Sequence, residues 1–538
     1  MPSNPTTKSQ VHAYKFVLRR MQSALVRRDA VMLHDPMRTH SRATMVGVVL
    51  SALGVLGFII FGLFKPAPEP PGSGTIVIGE SSGQIYVSAG EPQKLIPTFN
   101  LASARLLLAA QQNQGKDDES KGGGLAVGSA PEEAAEPEVI PDDQLVDMPR
   151  GKPTGIPFGP SLLPGEDQRI SPHWAVCENI ELNKDLPKQE ARSRAEPKTT
   201  VVAGTSELGH ELQDDEALLV RSSEGVTYLV YRLEENPNDR NADVVRAKVD
   251  LNDPAVTQAY GLSSAQPRKV STAMLDAIPE EQEITAPDIA QQNNDKWGLG
   301  VGVGGTFHVT QANGDQYYVL TKGGKKKISE PVATLIQNEY QEKKKTPLKP
   351  PKKAASVPVV ESGGKSDLDV ETFPSTKPTV LTPFSTPSAC LGWRITGEGE
   401  NQEGHTTLYV NQTSPVPTNE NGDSQAVKIS EASPDGYQVD GFYMPKGRAA
   451  VVRSATSPKQ FEKGPIQLVS GLGVRYGVPN GPTAQVLGLG SQDPAPELIL
   501  RLLPVGKSLN MQNAQQTWPS SALNEVGDSA AAAAAADN

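Results

Sequence analysis

The sequence predicts an α+β chain rich in β-structure. One transmembrane helix precedes an elongated extracytoplasmic region, where four β-β-α repeats surround a central β domain with pseudo-two-fold symmetry. Three observations carry this prediction. Ala43 to Phe64 is an apolar run with no charge between Arg42 and Lys65. A short strand, a turn, a strand with Tyr, another turn and a capped helix recur four times. The helix caps and the two cysteines recur at similar long spacings.

The 22 residues of the apolar run reach roughly 33 Å at about 1.5 Å per residue, enough for a hydrocarbon core of about 30 Å. Residues 1–42 hold eight basic and two acidic residues, whereas the far side opens on Lys65 and PAPEPPGSG. The positive-inside rule therefore puts the N-terminus in the cytoplasm and everything from Lys65 onward outside it. A cleaved signal peptide is the competing reading, but the run exceeds the usual apolar core of such leaders and no A-x-A site follows Phe64. Gly47 and Ser51 form a small-xxx-small pair that would let this helix pack closely on another.

Ahead of the anchor, VHAYKFVLRRMQSALVRRDAVML places Tyr14, Val17, Leu18, Met21 and Leu25 at helical spacing. Arg19, Arg20, Arg27 and Arg28 fall largely off that stripe, and Pro36 is expected to end or kink the helix. Such an arm either lies on lipid headgroups or docks on a cytoplasmic or membrane partner. The first 65 residues balance to +7, and the remaining 473 to −18, with 42 basic against 60 acidic residues. A basic arm suits an anionic cytoplasmic leaflet, and an acidic exterior argues against nucleic acid as a partner. Gly and Pro together number 95 of 538, so the exterior is long enough for two or three domains and rich in turns and linkers.

The first repeat runs IVIGESSGQIYV, KLIPTF, NLASARLLLAA, with Asn100 as the cap. ALLVRSSEGVTYLVY, RAKVDL and DPAVTQAYGL follow with Asp253, then TFHVTQANGDQYYVL, KKKI and SEPVATLIQNE with Ser329. PIQLVSGLGVRYGV and NGPTAQVLGLG with Asn480 form a fourth, shorter copy. Asn100 to Ser329 is 229 residues and Asp253 to Asn480 is 227, so the four units read as two tandem pairs. Cys177 and Cys390 lie 213 apart, each beside a tryptophan, in HWAVC and CLGWR. On the oxidising side of a membrane they either pair and tie the two halves together or are two unrelated free thiols.

The chain divides accordingly into a cytoplasmic basic amphipathic arm (1–42), the transmembrane helix (43–64), repeat 1 (72–110) and an acidic linker (111–147). The first part of the central domain (148–205), repeat 2 (216–262), repeat 3 (300–340) and a Lys/Pro-rich linker (341–388) come next. The second part of the central domain (389–440), repeat 4 (447–505) and a mobile tail (506–538) complete it.

Motifs for chemistry do not survive inspection. GGKS at 363–366 and GGKK at 323–326 have Val359 and Val319 where a phosphate-binding loop needs its first glycine. Gly300, Gly302 and Gly305 match a dinucleotide fingerprint in spacing, yet TFHVT after them reads as a strand where a helix is required. Gly79, Ser81 and Gly83 match a nucleophile-elbow string, but join two strands. His210 and Glu211 begin HELQD, whose fifth residue is Asp214, not the second histidine of a zinc motif. No catalytic, cofactor-binding or metal-ligating residue is nominated, and the exterior reads as a binding or scaffolding structure.

Dispersed segments then give a family likeness: TTKSQVHAYKFVLRR, LVRRDAVMLHDP and the anchor, YVSAGEPQKLIPTFNLASARLLL, MPRGKPTGIPFGP, WAVC, DQYYVL, the second cysteine, GVRYGVPN and RLLPVGKSL. In this order and over nearly the full length, the chain resembles EccB, the single-pass core component of type VII (ESX) secretion machinery in mycobacteria and related actinobacteria. Its two linkers are longer and more charged than the family pattern, and it ends in an alanine run. The resemblance implies a periplasmic domain of four repeats around a disulfide-linked centre, self-association there, and assembly with the motor ATPase EccC and with EccD and EccE. It implies a structural scaffold in the inner membrane. Family members are also labelled ATPases, so nucleotide hydrolysis stands as an alternative, as does binding of cell-wall peptidoglycan.

Overall fold

A computed structural model of the chain describes residues 7–28, 36–63, 71–114, 134–233, 238, 242–289, 299–312, 314–343, 351–355, 368–397, 402–456 and 461–518. They fall into two compact units, Met1–Pro70 and Pro71–Asn538, each described by itself.

In the first unit, helix α1 spans Lys8–Arg27. It ends at Arg28, whose φ of 57° turns the chain into the left-handed region while its N–H reaches Ala24 O at 2.9 Å. The expectation that Pro36 ends this helix is thus corrected. Pro36 opens helix α2, Pro36–Leu63, where its missing N–H costs nothing because the first helical N–H groups have no partner anyway. Within α2, Arg42–Ile60 is long and apolar enough to cross a membrane by length and composition. Phe64, the last residue of the apolar run, lies outside the described residues.

The second unit contains five sheets among the described residues. In the first, Thr75–Gly79, Ile85–Ala89 and Lys94–Thr98 form an antiparallel meander, helix α3 (Leu101–Gln114) follows, and Pro137–Ile140 returns parallel to the first strand. Helix α4 (Lys188–Arg194) belongs to the centre. The second sheet is built from Glu216–Arg221, Thr227–Arg232 and Val244–Lys248, then helix α5 (Pro254–Ala259) and Arg268–Lys269 parallel to its first strand. Helix α6 (Thr272–Ala277) follows, and Glu280–Glu281 and Thr379–Val380 add further parallel pairings. The third comprises Thr306–Gln311, Gly314–Thr321 and Gly324–Ile328, helix α7 (Glu330–Lys343) and Lys352–Lys353. The fourth comprises Ala450–Ala455, Ile466–Val469 and Arg475–Val478, helix α8 (Gly481–Leu487) and Asp493–Pro496.

These sheets depart from a β-β-α unit in two ways. The short third segments KLIPT, VVRAK and GKKKI are strands, and a fourth strand returns after each helix. In the last sheet the opening strand is Ala450–Ala455, which makes the Tyr476 strand the third and not the second. AVVRSA is buried at all but one position, so it lacks the polar alternation that marks a half-exposed strand. Caps also differ. Asn100 Oδ1 accepts from Ser103 N at 2.8 Å, Asp253 Oδ1 from Ala255 N at 2.7 Å and Asn480 Oδ1 from Thr483 N at 2.9 Å. Ser329, expected to do the same for α7, keeps its buried hydroxyl without a hydrogen-bond partner.

Parts of the expected linkers and tail are folded. Residues 134–147 supply the strand Pro137–Ile140, and residues 368–388 bury Leu368, Val370 and Phe373. The stretch 506–518, expected to be mobile, buries Leu509 and Ala514 and forms the short helix Met511–Ala514 under an Asn510 cap. Residues 115–133, 344–350, 356–367 and 519–538, the remainder of those three segments apart from described pieces, lie outside the described residues.

The central sheet has seven strands, ordered Val427–Lys428, Gly441–Tyr443, Pro197–Ala203, Trp174–Ile180, Ser388–Thr396, Glu403–Asn411 and His210–Glu211. Period-two alternation sends Trp174, Val176, Leu391 and Trp393 to one face, into the core shared with Leu218, Val230, Val452 and Ile499 of the second and fourth sheets and their helices. Helix α5 packs on α7 through Val256, Val332 and Leu335, and α3 on α8 through Leu106 and Leu487.

Candidate functional site

The middle of the central sheet joins the two parts of the chain. Trp174–Ile180 and Ser388–Thr396 are neighbouring antiparallel strands in a register that sets Cys177 opposite Cys390 and Trp174 opposite Trp393. The two cysteines are joined as a disulfide across the strands, buried against Ala175, Val202 and Leu208. Gly392 lies where a Cβ would come within 2.7 Å of Leu208 and Tyr409, and Gly404 where it would meet the Trp393 indole at 2.6 Å. Only glycine lets the flanking side chains close over this joint.

One residue from the disulfide, Glu178 is buried in a strand buried at all but one position. Its Oε1 accepts from Ser271 N at 2.6 Å, at the start of α6. Burial pushes this carboxyl above its ordinary range, against the hydrogen bonds from Ser271 and the charge of Arg268. Arg268 is equally buried, and burial lowers its pKa to about 10 despite Glu178. Its guanidinium donates to Thr386 O and Pro387 O, each at 2.9 Å, just ahead of the Cys390 strand. The pair thereby fastens the edge of the second sheet to both cysteine strands. Elsewhere Arg105 of α3 donates to Leu487 O at 2.7 Å and Ala135 O at 3.1 Å, satisfying a terminal carbonyl of α8. None of these three was nominated from sequence; a glutamate directly after the cysteine, where a strand should be apolar, was the available signal for Glu178.

Of the residues singled out in the arm, Tyr14, Leu18, Met21 and Leu25 are 68 %, 42 %, 57 % and 80 % exposed on α1, so the apolar stripe has no cover within its own unit among the described residues. Arg19 is half-buried, Arg20 and Arg28 are exposed, and Arg27 closes the helix. Gly47 and Ser51 are exposed one turn apart on α2, and a Cβ on Gly47 would meet nothing within 4 Å.

The rejected motif strings occupy turns and strands. Asp142 Oδ2 accepts from Ser81 N at 2.8 Å and Ser82 N at 3.0 Å, which fixes the Gly79–Gly83 hairpin turn. Gly305 runs directly into the strand Thr306–Gln311, Gly324 opens the strand Gly324–Ile328, and His210 and Glu211 pair with Val410 and Tyr409. The string at 363–366 lies outside the described residues. Among the described residues no group of three or more His, Cys, Asp or Glu side chains is placed to hold a metal ion.

Known proteins share this layout. The chain is 27 % identical over 97 % of its length, and 93 % of the relative's, to a protein named ESX-3 secretion system ATPase EccB3 from Mycolicibacterium smegmatis. It is 27 % identical over 94 % of its length, and 93 % of the relative's, to ESX-1 secretion system ATPase EccB1 from Mycobacterium tuberculosis. Among solved structures it matches a chain of an intact ESX-5 inner membrane complex, with a TM-score of 0.62, 24 % identity and 97 % of both chains covered. It also matches an EccB3 dimer from an ESX-3 core complex, with a TM-score of 0.61, 21 % identity and 82 % of this chain and 100 % of the other covered. The family model described as type VII secretion system ESX-1, transport TM domain B matches residues 3–520, and the chain therefore belongs to the EccB family of type VII secretion.

Proposed function

We propose that this chain is a structural subunit of a type VII secretion membrane complex, anchored in the inner membrane by α2 and assembling the complex for protein export. The observation that carries the reading is the family match over residues 3–520, which includes arm, anchor and sheets. In this reading the basic N-terminal arm is cytoplasmic, α2 crosses the membrane once, and the large second unit is periplasmic. Its sheets act as four repeats about a pseudo-two-fold centre at the disulfide, and they bring copies of the chain together. The likeness to a chain of an ESX-5 inner membrane complex and to an EccB3 dimer supports membership of a complex and self-association. EccC, EccD and EccE are the proposed partners, with the exposed stripe of α1 as the contact surface and Gly47 and Ser51 as the close-packing face of α2.

Purification of the tagged chain from native membranes in mild detergent tests this. The expected result is recovery of EccC, EccD and EccE together with it; recovery of the chain alone overturns the reading. The names of the two relatives favour a second function, ATP hydrolysis. Steady-state turnover by the purified chain, above a preparation matched for contaminants, would establish that activity beside the structural one. Retention on insoluble peptidoglycan would do so for cell-wall binding.

A further inference from the structure

Residues 372–387, TFPSTKPTVLTPFSTP, hold seven Ser or Thr, four Pro and no acidic residue. Segments of that composition, placed outside the cytoplasm, are substrates for O-glycosylation. Pro374, Pro378, Pro383 and Pro387 keep the segment out of helix, because each lacks an N–H and biases the residue before it toward extended backbone. The extended shape is fixed where Thr379–Val380 pairs with Glu216 and Ala217. There Thr379 N donates to Asp215 O at 2.6 Å and Leu381 N to Ala217 O at 2.9 Å.

Most of its hydroxyls are buried or in use. Thr376 Oγ1 donates to Asp214 O at 2.7 Å and Ser385 Oγ to Thr382 O at 3.1 Å, while Thr372 and Thr386 are buried. Thr379 and Thr382 differ. Both are exposed, and among the described residues neither hydroxyl takes part in a hydrogen bond. Both line one hollow of about 460 Å³, together with Arg192 of α4, Ser264 and Gln266. Ser375 is exposed as well but does not line it.

We infer that Thr379 and Thr382 are acceptor sites for O-linked neutral sugars. The hollow leaves room for a short glycan on either oxygen. Its guanidinium, hydroxyl and amide groups pair with sugar hydroxyls, and no carboxylate lines it. The inference rests on the reading that the second unit lies outside the cytoplasm, where the donor is a sugar carried on a lipid phosphate. In the transfer the threonine Oγ bonds to the anomeric carbon and that carbon's bond to the donor phosphate breaks. The hydroxyl proton ends on the leaving phosphate.

The intact mass of the full-length chain, purified in detergent from its native membranes, tests this. The expected result is a set of species heavier than the bare chain by whole hexose residues, with the increments mapped to Thr379 and Thr382 by peptide fragmentation. Thr379→Ala with Thr382→Ala alters two exposed side chains and should abolish the increments. Thr379→Ser with Thr382→Ser keeps the hydroxyls and should retain them. A bare mass, increments of phosphate, or hexose increments that survive the Ala variant would overturn the inference. Protease added to wall-stripped cells is the parallel measurement. Cleavage of the second unit alongside a bare mass sinks the inference alone, whereas its protection alongside a bare mass sinks the extracytoplasmic reading as well.

Discussion

Glu178 and Arg268 are both buried and each feels the other's charge, and a buried ionisable group costs most when the group that offsets it is removed. Burial holds the Glu178 carboxyl above its ordinary 4.5, so the folded chain binds this proton more tightly than the unfolded chain does. Its stabilising contribution is complete below pH 4.5 and is lost as pH rises through the folded value. Arg268→Met removes the positive charge that opposes this shift and leaves two carbonyls without their donor. Urea unfolding should show a loss of about 3–5 kcal/mol at pH 7 and a smaller loss near pH 4; equal losses at both pH values would contradict the assignment. At the disulfide, Cys177→Ser with Cys390→Ser should destabilise by about 2–5 kcal/mol through the long loop it frees. The intact mass of the non-reduced chain should be two hydrogens below that of the reduced chain, and equal masses would rule the bond out. Gly392→Ala forces a methyl against Leu208 and Tyr409 and should cost about 1–3 kcal/mol in the same unfolding measurement.

Among the elements, what sequence reveals depends on how far local pattern expresses the environment. The long apolar helix was legible because twenty-odd apolar residues in a row favour one, and the Tyr strands were legible because their turns carry glycine. Ala450–Ala455 escaped because complete burial erases alternation, and residues 506–518 escaped because their order comes from contacts with α3 and not from their own composition. The two cysteines stood out, but their place on adjacent strands of one sheet needed the register. Glu178, Arg268 and Arg105 were hidden because their roles lie in main-chain groups far away in sequence. For α1, the exposed stripe gives the next test. Replacing Leu18, Met21 and Leu25 by Ser, with the charges kept, should release the other subunits from the tagged chain in a detergent pull-down. Unaltered co-purification would count against docking through this helix.

At the scale of the whole molecule, the chain is a connecting subunit. A short basic arm and an apolar helix form one unit, and five sheets held about a disulfide form the other. Weighing the complex with and without the chain tests its structural role. The secretion complex is purified through a tag on another of its subunits, from cells with and without this protein, and its mass is determined in native conditions. A structural subunit predicts that the full-size complex disappears without the chain and returns when it is restored; a complex of undiminished architecture, lighter only by the missing protein, would contradict it.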